Sequence, residues 1–136
     1  MSSGSIISVV DDEIDITQLF HDALCNNIKD ISVVSFNDPT IALEHFTNNK
    51  KNYALVISDL RMPNMSGLEL LKNVKKINPN VRTILISAYE VENDSVFQQY
   101  IKEGIIDKFI KKPITITGLC QQVSDQVISY RSKNSQ

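Results

Sequence analysis

Five short apolar runs alternate with segments of helical periodicity along this chain, and this alternation most restricts its possible folds. The runs cover residues 6–10, 31–36, 53–57, 81–86 and, more weakly, 108–110. Their β-branched character, their length and the turn residues around them indicate strands buried on both faces. Strands that alternate with helices form parallel sheets. We therefore predict an α/β domain in which helices cover both faces of a doubly wound parallel sheet.

The intervening segments carry the spacing and the end signals of amphipathic helices. The first predicted helix has apolar residues at i, i+3, i+4, i+7 and i+8: Ile16, Leu19, Phe20, Ala23 and Leu24. Asp38 followed by Pro39 predicts an N-cap and a first helical position. Ser66 and Glu69 have the spacing of a capping box. Gly104 is the predicted C-cap of the fourth helix.

The length of 136 residues predicts one domain, which we place at residues 6–130, with flexible ends at 1–5 and 131–136. No apolar run approaches the ~20 residues of a membrane span, and the N-terminus lacks the features of a secretory signal. The net charge of −2, with scattered basic residues, does not favour nucleic acid binding. We expect a cytoplasmic protein that contacts neither membrane nor nucleic acid directly.

Polar side chains stand at the ends of four predicted strands. Asp11 and Asp12 follow the first strand, Asp59 the third, Ser87 the fourth and Lys112 the fifth. The carboxyl ends of parallel strands meet at one edge, where open α/β sheets bind ligands. Two carboxylates ~4 Å apart repel each other by about 4 kcal/mol at an effective dielectric of 20. Such a cluster predicts a hard cation, Mg²⁺ or Mn²⁺, and the lysine and hydroxyl suit a phosphoryl group.

Simpler interpretations exist for individual residues. Asp59 alone could merely cap the following helix, although Ser66 fills that role. Lys111 is expected to be a solvated neighbour of the site. His21 and His45 lie on predicted helices away from the carboxyl edge, so we do not expect either to donate phosphate.

Four sequence elements in order resemble the receiver domain of two-component response regulators. They are VDDE at 10–13, SDLRMPNMSG at 58–67, Ser87-Ala88 and Lys112-Pro113. The resemblance extends over residues 6–127. It implies the flavodoxin-like strand order 2-1-3-4-5 with five helices, in a stand-alone receiver.

The resemblance also implies roles for individual residues. Asp59 would accept a phosphoryl group from a phosphohistidine, so the chain would be a signalling phosphoacceptor rather than an enzyme. The carboxylates of Asp11, Asp12 and Asp59 and the backbone carbonyl of Arg61 would bind Mg²⁺ or Mn²⁺. A phosphoryl oxygen would bind Lys112, another would bind Ser87, and Phe109 would be the aromatic residue that turns on phosphorylation. A cis Lys112–Pro113 bond is also implied.

The resemblance implies a sensor histidine kinase or phosphotransfer protein as donor, and a separate effector bound through the fourth helix, fifth strand and fifth helix. Arg61 and Tyr89, each two residues beyond a site residue, are expected to slow hydrolysis by their bulk. A relay intermediate and a phosphate-independent interaction module are the alternatives. A haloacid-dehalogenase-type phosphatase would need an acid where Arg61 stands.

Overall fold

Five parallel strands form a single sheet in the order β2-β1-β3-β4-β5, as predicted. The computed structural model describes residues 4–134. The strands are β1 (Ile6–Val10), β2 (Ser32–Phe36), β3 (Tyr53–Asp59), β4 (Arg82–Ser87) and β5 (Lys108–Lys111). The third strand is longer than its apolar run predicts, because Ser58 and Asp59 continue the parallel pairing with β4.

Five α-helices connect and follow the strands. They are α1 (Ile14–Asn27), α2 (Pro39–Asn49), α3 (Gly67–Ile77), α4 (Ser95–Lys102) and α5 (Ile116–Lys133), with a short 3₁₀ helix at Lys50–Asn52. Among residues 4–134, no helix is both long enough and apolar enough to cross a membrane.

Both ends of the folded region extend beyond the predicted boundaries. The prediction of a flexible tail from Arg131 is wrong for residues 131–133, which belong to α5. Tyr130 is buried, and the Arg131 guanidinium donates a hydrogen bond to the Asp30 carbonyl at 3.0 Å, so both hold the last turns. At the other end, Ser5 is buried and its N–H donates to the Asn52 carbonyl at 2.9 Å. Residues 1–3, 135 and 136 lie outside the described residues.

Side chains that alternate along the strands pack into two apolar layers, one on each face of the sheet. Val10, Val56 and Leu85 face the layer formed with α2, α3 and α4, whereas Ile57 and Ile84 face the layer formed with α1 and α5. The inner strands β1, β3 and β4 are therefore buried on both faces, which explains their nearly continuous apolar sequences, whereas the edge strands β2 and β5 are partly exposed. Each fully buried aliphatic side chain contributes roughly 1.5–3 kcal/mol. This core makes the sheet a rigid support for the residues at its edges.

Caps fix where the helices begin and therefore how the loops leave the strands. The Asp38 carboxylate accepts from Thr40 N at 2.9 Å, and Ser66 Oγ accepts from Glu69 N at 3.2 Å, as predicted. Gly104 has a φ of 77° at the end of α4, the left-handed conformation expected of a C-cap glycine. The Lys112–Pro113 bond is cis, as the family resemblance implies.

Candidate functional site

Three carboxylates meet at the carboxyl ends of β1 and β3. Asp11 is buried, Asp12 is exposed and Asp59 lies between these extremes. One carboxylate oxygen from each lies within 4.8 Å of the others. Oxygen donors at this spacing fit a hard divalent cation such as Mg²⁺. The structure thus brings together the three acids that the sequence places at this edge.

Burial dominates the electrostatics of the two inner acids. Desolvation raises the pKa of the Asp11 carboxyl, and the charge of Asp59 raises it further. Desolvation also raises the pKa of Asp59, with a smaller contribution from Asp12. The Lys112 charge acts in the opposite direction on both but does not outweigh burial. Three carboxyl groups share the single ammonium of Lys112, so additional positive charge at this edge would favour their ionised forms.

The side chain of Lys112 joins two of these acids. Its Nζ lies 3.2 Å from Asp59 Oδ1 and 3.5 Å from Asp11 Oδ2. Burial lowers the pKa of Lys112, but the two carboxylates raise it by more, so the ammonium form is favoured. The backbone N–H of Lys112 donates to the Ser87 carbonyl at 2.9 Å, which anchors this residue to the end of β4.

Ser87 is a buried hydroxyl at the end of β4, 1% exposed. Its Oγ accepts a hydrogen bond from the Tyr89 N–H at 2.9 Å. Within the sheet, Asp59 pairs with Ile86, so Ser87 follows the residue opposite Asp59. Because the bond from Tyr89 uses the oxygen as acceptor, the hydroxyl hydrogen can be donated to an anion at this edge.

The loop between β3 and α3 ends close to the carboxyl end of β3, where it also begins. The Gly67 N–H donates to the Leu60 carbonyl at 2.8 Å, and a Cβ on Gly67 would lie 2.2 Å from the Asp59 carbonyl oxygen. Only glycine fits this approach. Asn64 takes a φ of 74°, a left-handed turn conformation that asparagine tolerates better than most residues. The turn residues of the motif therefore set the path of the segment that contains Arg61.

Arg61 and Tyr89 contact each other as well as flanking the site. The guanidinium carbon of Arg61 lies 3.7 Å from the centroid of the Tyr89 ring, and Tyr89 is 48% exposed. This geometry is a cation–π contact between the loops after β3 and β4. The sequence indicates the two positions but not their contact.

Phe109 lies in β5 and packs inward. Its ring centroid is 5.0 Å from that of Phe97 in α4, at an interplanar angle of 73°. Phe109 is half-buried, and its role as a switch residue stays a prediction. The neighbouring Lys111 is exposed, as expected, and it forms an ion pair with Glu90 instead of contacting the acidic cluster. His21 bonds Ser35 Oγ and His45 bonds the Tyr53 hydroxyl, away from the acidic cluster.

Two residues behind the acidic cluster have no counterpart among the sequence predictions. Asn37, which follows β2, donates to the Asp11 carbonyl and to the hydroxyl of Thr17, and Thr17, in the first turn of α1, donates to the Ile14 carbonyl. In the sequence Asn37 is simply one of the turn residues before Asp38 and Pro39. Its side-chain amide reaches the Asp11 carbonyl only because β1 and β2 are paired in the sheet.

Comparison with known proteins gives one consistent family. The family model for the response regulator receiver domain matches residues 7–124. The chain is 31% identical over 121 residues to the C4-dicarboxylate transport transcriptional regulatory protein DctD of Rhizobium meliloti, covering 89% of this chain and 25% of that protein. It is 28% identical over 128 residues to the DNA-binding transcriptional regulator NtrC of Escherichia coli, covering 94% of this chain and 26% of that protein.

The chain therefore spans about a quarter or less of the length of the curated transcriptional regulators that it matches. Solved structures of single receiver domains match over nearly their whole length. A response regulator receiver domain protein from Clostridium thermocellum superimposes with a TM-score of 0.83 at 27% identity, covering 97% of this chain and 99% of that one. The response regulator TrrA of Thermotoga maritima, solved in complex with Mg²⁺–BeF, gives a TM-score of 0.75 at 28% identity, covering 90% and 98%.

Proposed function

Because the chain belongs to the family of response regulator receiver domains, we propose that Asp59 accepts a phosphoryl group from a phosphohistidine. The donor is a sensor histidine kinase or a phosphotransfer protein. The observation that carries the proposal is the position of Lys112, whose ammonium bridges Asp59 and Asp11 beside the third acid, Asp12. A strand-end carboxylate next to a fixed cation can become an acyl phosphate whose new charge is balanced.

In the proposed reaction, a carboxylate oxygen of Asp59 attacks phosphorus and the N–P bond of the phosphohistidine breaks. The histidine nitrogen retains the electron pair and takes a proton from solvent, and Asp59 becomes an aspartyl phosphate. Lys112 binds one phosphoryl oxygen and the Ser87 hydroxyl donates to another.

The chemistry of the donor set supports a divalent cation at this site. Asp11, Asp12, Asp59 and the Arg61 carbonyl would hold it. Mg²⁺, or Mn²⁺, supplies neutralisation of the charge on the transferred phosphoryl oxygens when bound. The reported complex of TrrA with Mg²⁺–BeF supports this assignment by similarity.

The signal would be a change in the surface formed by α4, β5 and α5. If the Ser87 side chain moves toward the phosphoryl group while its Oγ keeps the bond from the Tyr89 N–H, the loop after β4 moves with it. Movement of that loop changes the packing of Phe97 and Phe109 at α4 and β5. A near-complete shift between two states needs about 5.5 kcal/mol of differential stabilisation.

The partners follow from this role. A separate effector protein would bind the face of α4, β5 and α5, where Val96 and Ile101 of α4 are exposed at 50% and 42%. The cytoplasmic location stays a prediction. Onward transfer of the phosphoryl group in a relay uses the same site and differs only in the acceptor.

The test is incubation of the purified chain with Mg²⁺ and acetyl phosphate, followed by intact-mass analysis. We expect the wild type and an Asp15→Asn control, altered at an exposed acid of α1, to gain one phosphoryl group. Asp59→Asn should gain none, and chelation of Mg²⁺ should abolish the gain. An unmodified wild type would contradict the proposal and favour a phosphate-independent interaction module.

A further inference from the structure

The acidic segment between β1 and α1 is held at both ends by a single side-chain amide. Asn37 Nδ2 donates to the Asp11 carbonyl at 2.9 Å and to Thr17 Oγ1 at 3.0 Å. These two contacts use both hydrogens of the amide. The Thr17 hydroxyl in turn donates to the Ile14 carbonyl at 2.9 Å. The chain of bonds thus runs from β2 across to the start of α1.

These bonds orient one peptide group between the candidate metal ligands Asp11 and Asp12 and another that follows them. The bond to the Asp11 carbonyl fixes the peptide between Asp11 and Asp12, and the bond to the Ile14 carbonyl fixes the first turn of α1. Between them, the Glu13 N–H donates to Asp11 Oδ1 at 2.9 Å and orients that carboxylate.

Asn37 itself is well placed to act as an anchor. The Asp11 N–H donates to the Phe36 carbonyl at 3.1 Å, which continues the pairing of β1 with β2 to the residue before Asn37. Thr17 is 3% exposed, so its hydroxyl is confined between the helix and the sheet. The hydrogen bonds of Asn37 therefore connect the end of β2 to the acidic segment and to α1, and neither of them involves Asp59.

We propose that Asn37 and Thr17 are positioning residues that set the affinity of the Asp11–Asp12–Asp59 cluster for a divalent cation. The inference rests on the proposed function, in which this cluster binds Mg²⁺. Residues that orient metal ligands through hydrogen bonds typically change metal affinity by 10–100-fold when they are replaced.

Four variants separate positioning from general stability. Asn37→Ala removes both amide donors, and Thr17→Val replaces the hydroxyl by a methyl group of similar size. Thr17→Ser retains the hydroxyl and serves as the rescue. Asn73→Ala is the matched control, because Asn73 Nδ2 also donates to a backbone carbonyl, that of Glu69, at 2.9 Å within α3.

The measurement is the Kd of the full chain for Mg²⁺ by isothermal titration calorimetry, at a temperature where circular dichroism shows each variant folded. We expect Kd to rise about tenfold or more in Asn37→Ala and Thr17→Val, and to stay at the wild-type value in Thr17→Ser and Asn73→Ala. If Asn37→Ala does not fold, the Thr17→Val and Thr17→Ser pair decides the question.

Wild-type affinity in Thr17→Val, or an equal loss in Asn73→Ala, would overturn the inference while leaving Asp59 as phosphoacceptor. A wild-type chain that binds no Mg²⁺ would contradict the proposed function, and this inference with it.

Discussion

The guanidinium carbon of Arg61 lies 3.7 Å from the centroid of the Tyr89 ring, so the loops after β3 and β4 are joined beside the acidic cluster. Arg61 is two residues beyond Asp59, and Tyr89 is two residues beyond Ser87. If Asp59 carries a phosphoryl group, as proposed, we expect the hydrolysing water to approach past both side chains. Because the two side chains contact each other, we expect them to restrict this approach together.

We expect Arg61→Ala and Tyr89→Ala each to speed hydrolysis of the acyl phosphate. A cation–π contact at an exposed site contributes about 0.5–1 kcal/mol, which corresponds to a factor of roughly two to five. The double variant should be little faster than either single variant, because each substitution alone breaks the contact. Tyr89→Phe retains the ring and should match the wild type. The lifetime after removal of the donor is the measurement, and unchanged lifetimes in both alanine variants would refute this role.

Replacement of Lys112 by methionine should affect cation binding and phosphorylation in opposite directions. The ammonium of Lys112 neutralises Asp59 and Asp11, so a divalent cation must bind against its charge. Without it, we expect Mg²⁺ to bind about tenfold more tightly, less than the full Coulomb energy because the site is partly exposed. Phosphorylation by acetyl phosphate should slow by about 100-fold, as for loss of one oxyanion donor.

The control for this substitution is Lys111→Met, the adjacent position. Lys111 pairs with the exposed Glu90 rather than with the acidic cluster. Replacement of Lys111 should change neither the affinity for Mg²⁺ nor the rate of phosphorylation. Calorimetric titration with Mg²⁺ and the time course of intact mass provide the two readouts, and wild-type Mg²⁺ affinity in Lys112→Met would count against the account.

Gly67→Ala should reduce both stability and phosphorylation. The added Cβ would lie 2.2 Å from the Asp59 carbonyl oxygen and 2.9 Å from Leu85 Cδ1, so the backbone must move. We expect a loss of about 1–3 kcal/mol in the free energy of unfolding, typical of overpacking. Gly104→Ala, where the added atom meets nothing within 4 Å but φ is 77°, should lose about 1 kcal/mol and phosphorylate normally. Urea titration measures the free energy of unfolding, and intact mass measures phosphorylation. Wild-type stability in Gly67→Ala would show that the backbone at Gly67 approaches the Asp59 carbonyl less tightly than this distance implies.

Asp107→Ala should destabilise the fold without affecting the site. Asp107 Oδ2 accepts from Lys75 Nζ at 2.8 Å and from Thr83 N at 2.9 Å, and Oδ1 lies 3.6 Å from the Arg82 guanidinium. Its side chain is only 13% exposed. Removal leaves two largely buried cations without their carboxylate, so we expect a loss of about 3 kcal/mol.

This network lies at the starts of β4 and β5, opposite the acidic edge of the sheet. The extent of phosphorylation of the folded variant should therefore equal that of the wild type. Calorimetric unfolding together with intact mass is the measurement. Loss of phosphorylation in a folded Asp107→Ala would show that the two edges are coupled.

The sequence predicted the sheet and the gathering of Asp11, Asp12, Asp59, Ser87 and Lys112 because both depend on one rule. Parallel strands place all their carboxyl ends at the same edge, so a residue that follows a strand can be located without knowing any side-chain conformation. The same rule could not reveal the Arg61–Tyr89 contact, which depends on the side-chain conformations of two loop residues.

The positions of Asn37, Thr17 and Asp107 were missed for a related reason. Each is an ordinary turn, helix or strand-start residue in the sequence, and its bonds cross between elements whose register the sequence does not specify. The end of α5 was predictable in part. Val123, Val127 and Tyr130 continue one apolar stripe, and Tyr130 is buried as that stripe requires.

Chemical trapping can locate the phosphoryl group and so directly test its attachment to Asp59. After incubation with Mg²⁺ and acetyl phosphate, borohydride reduces an aspartyl phosphate to homoserine, and peptide mapping locates the change. We predict homoserine at position 59 in the wild type, with Asp11, Asp12 and Asp15 unmodified. Homoserine at any of those other acids, with Asp59 intact, would contradict the account.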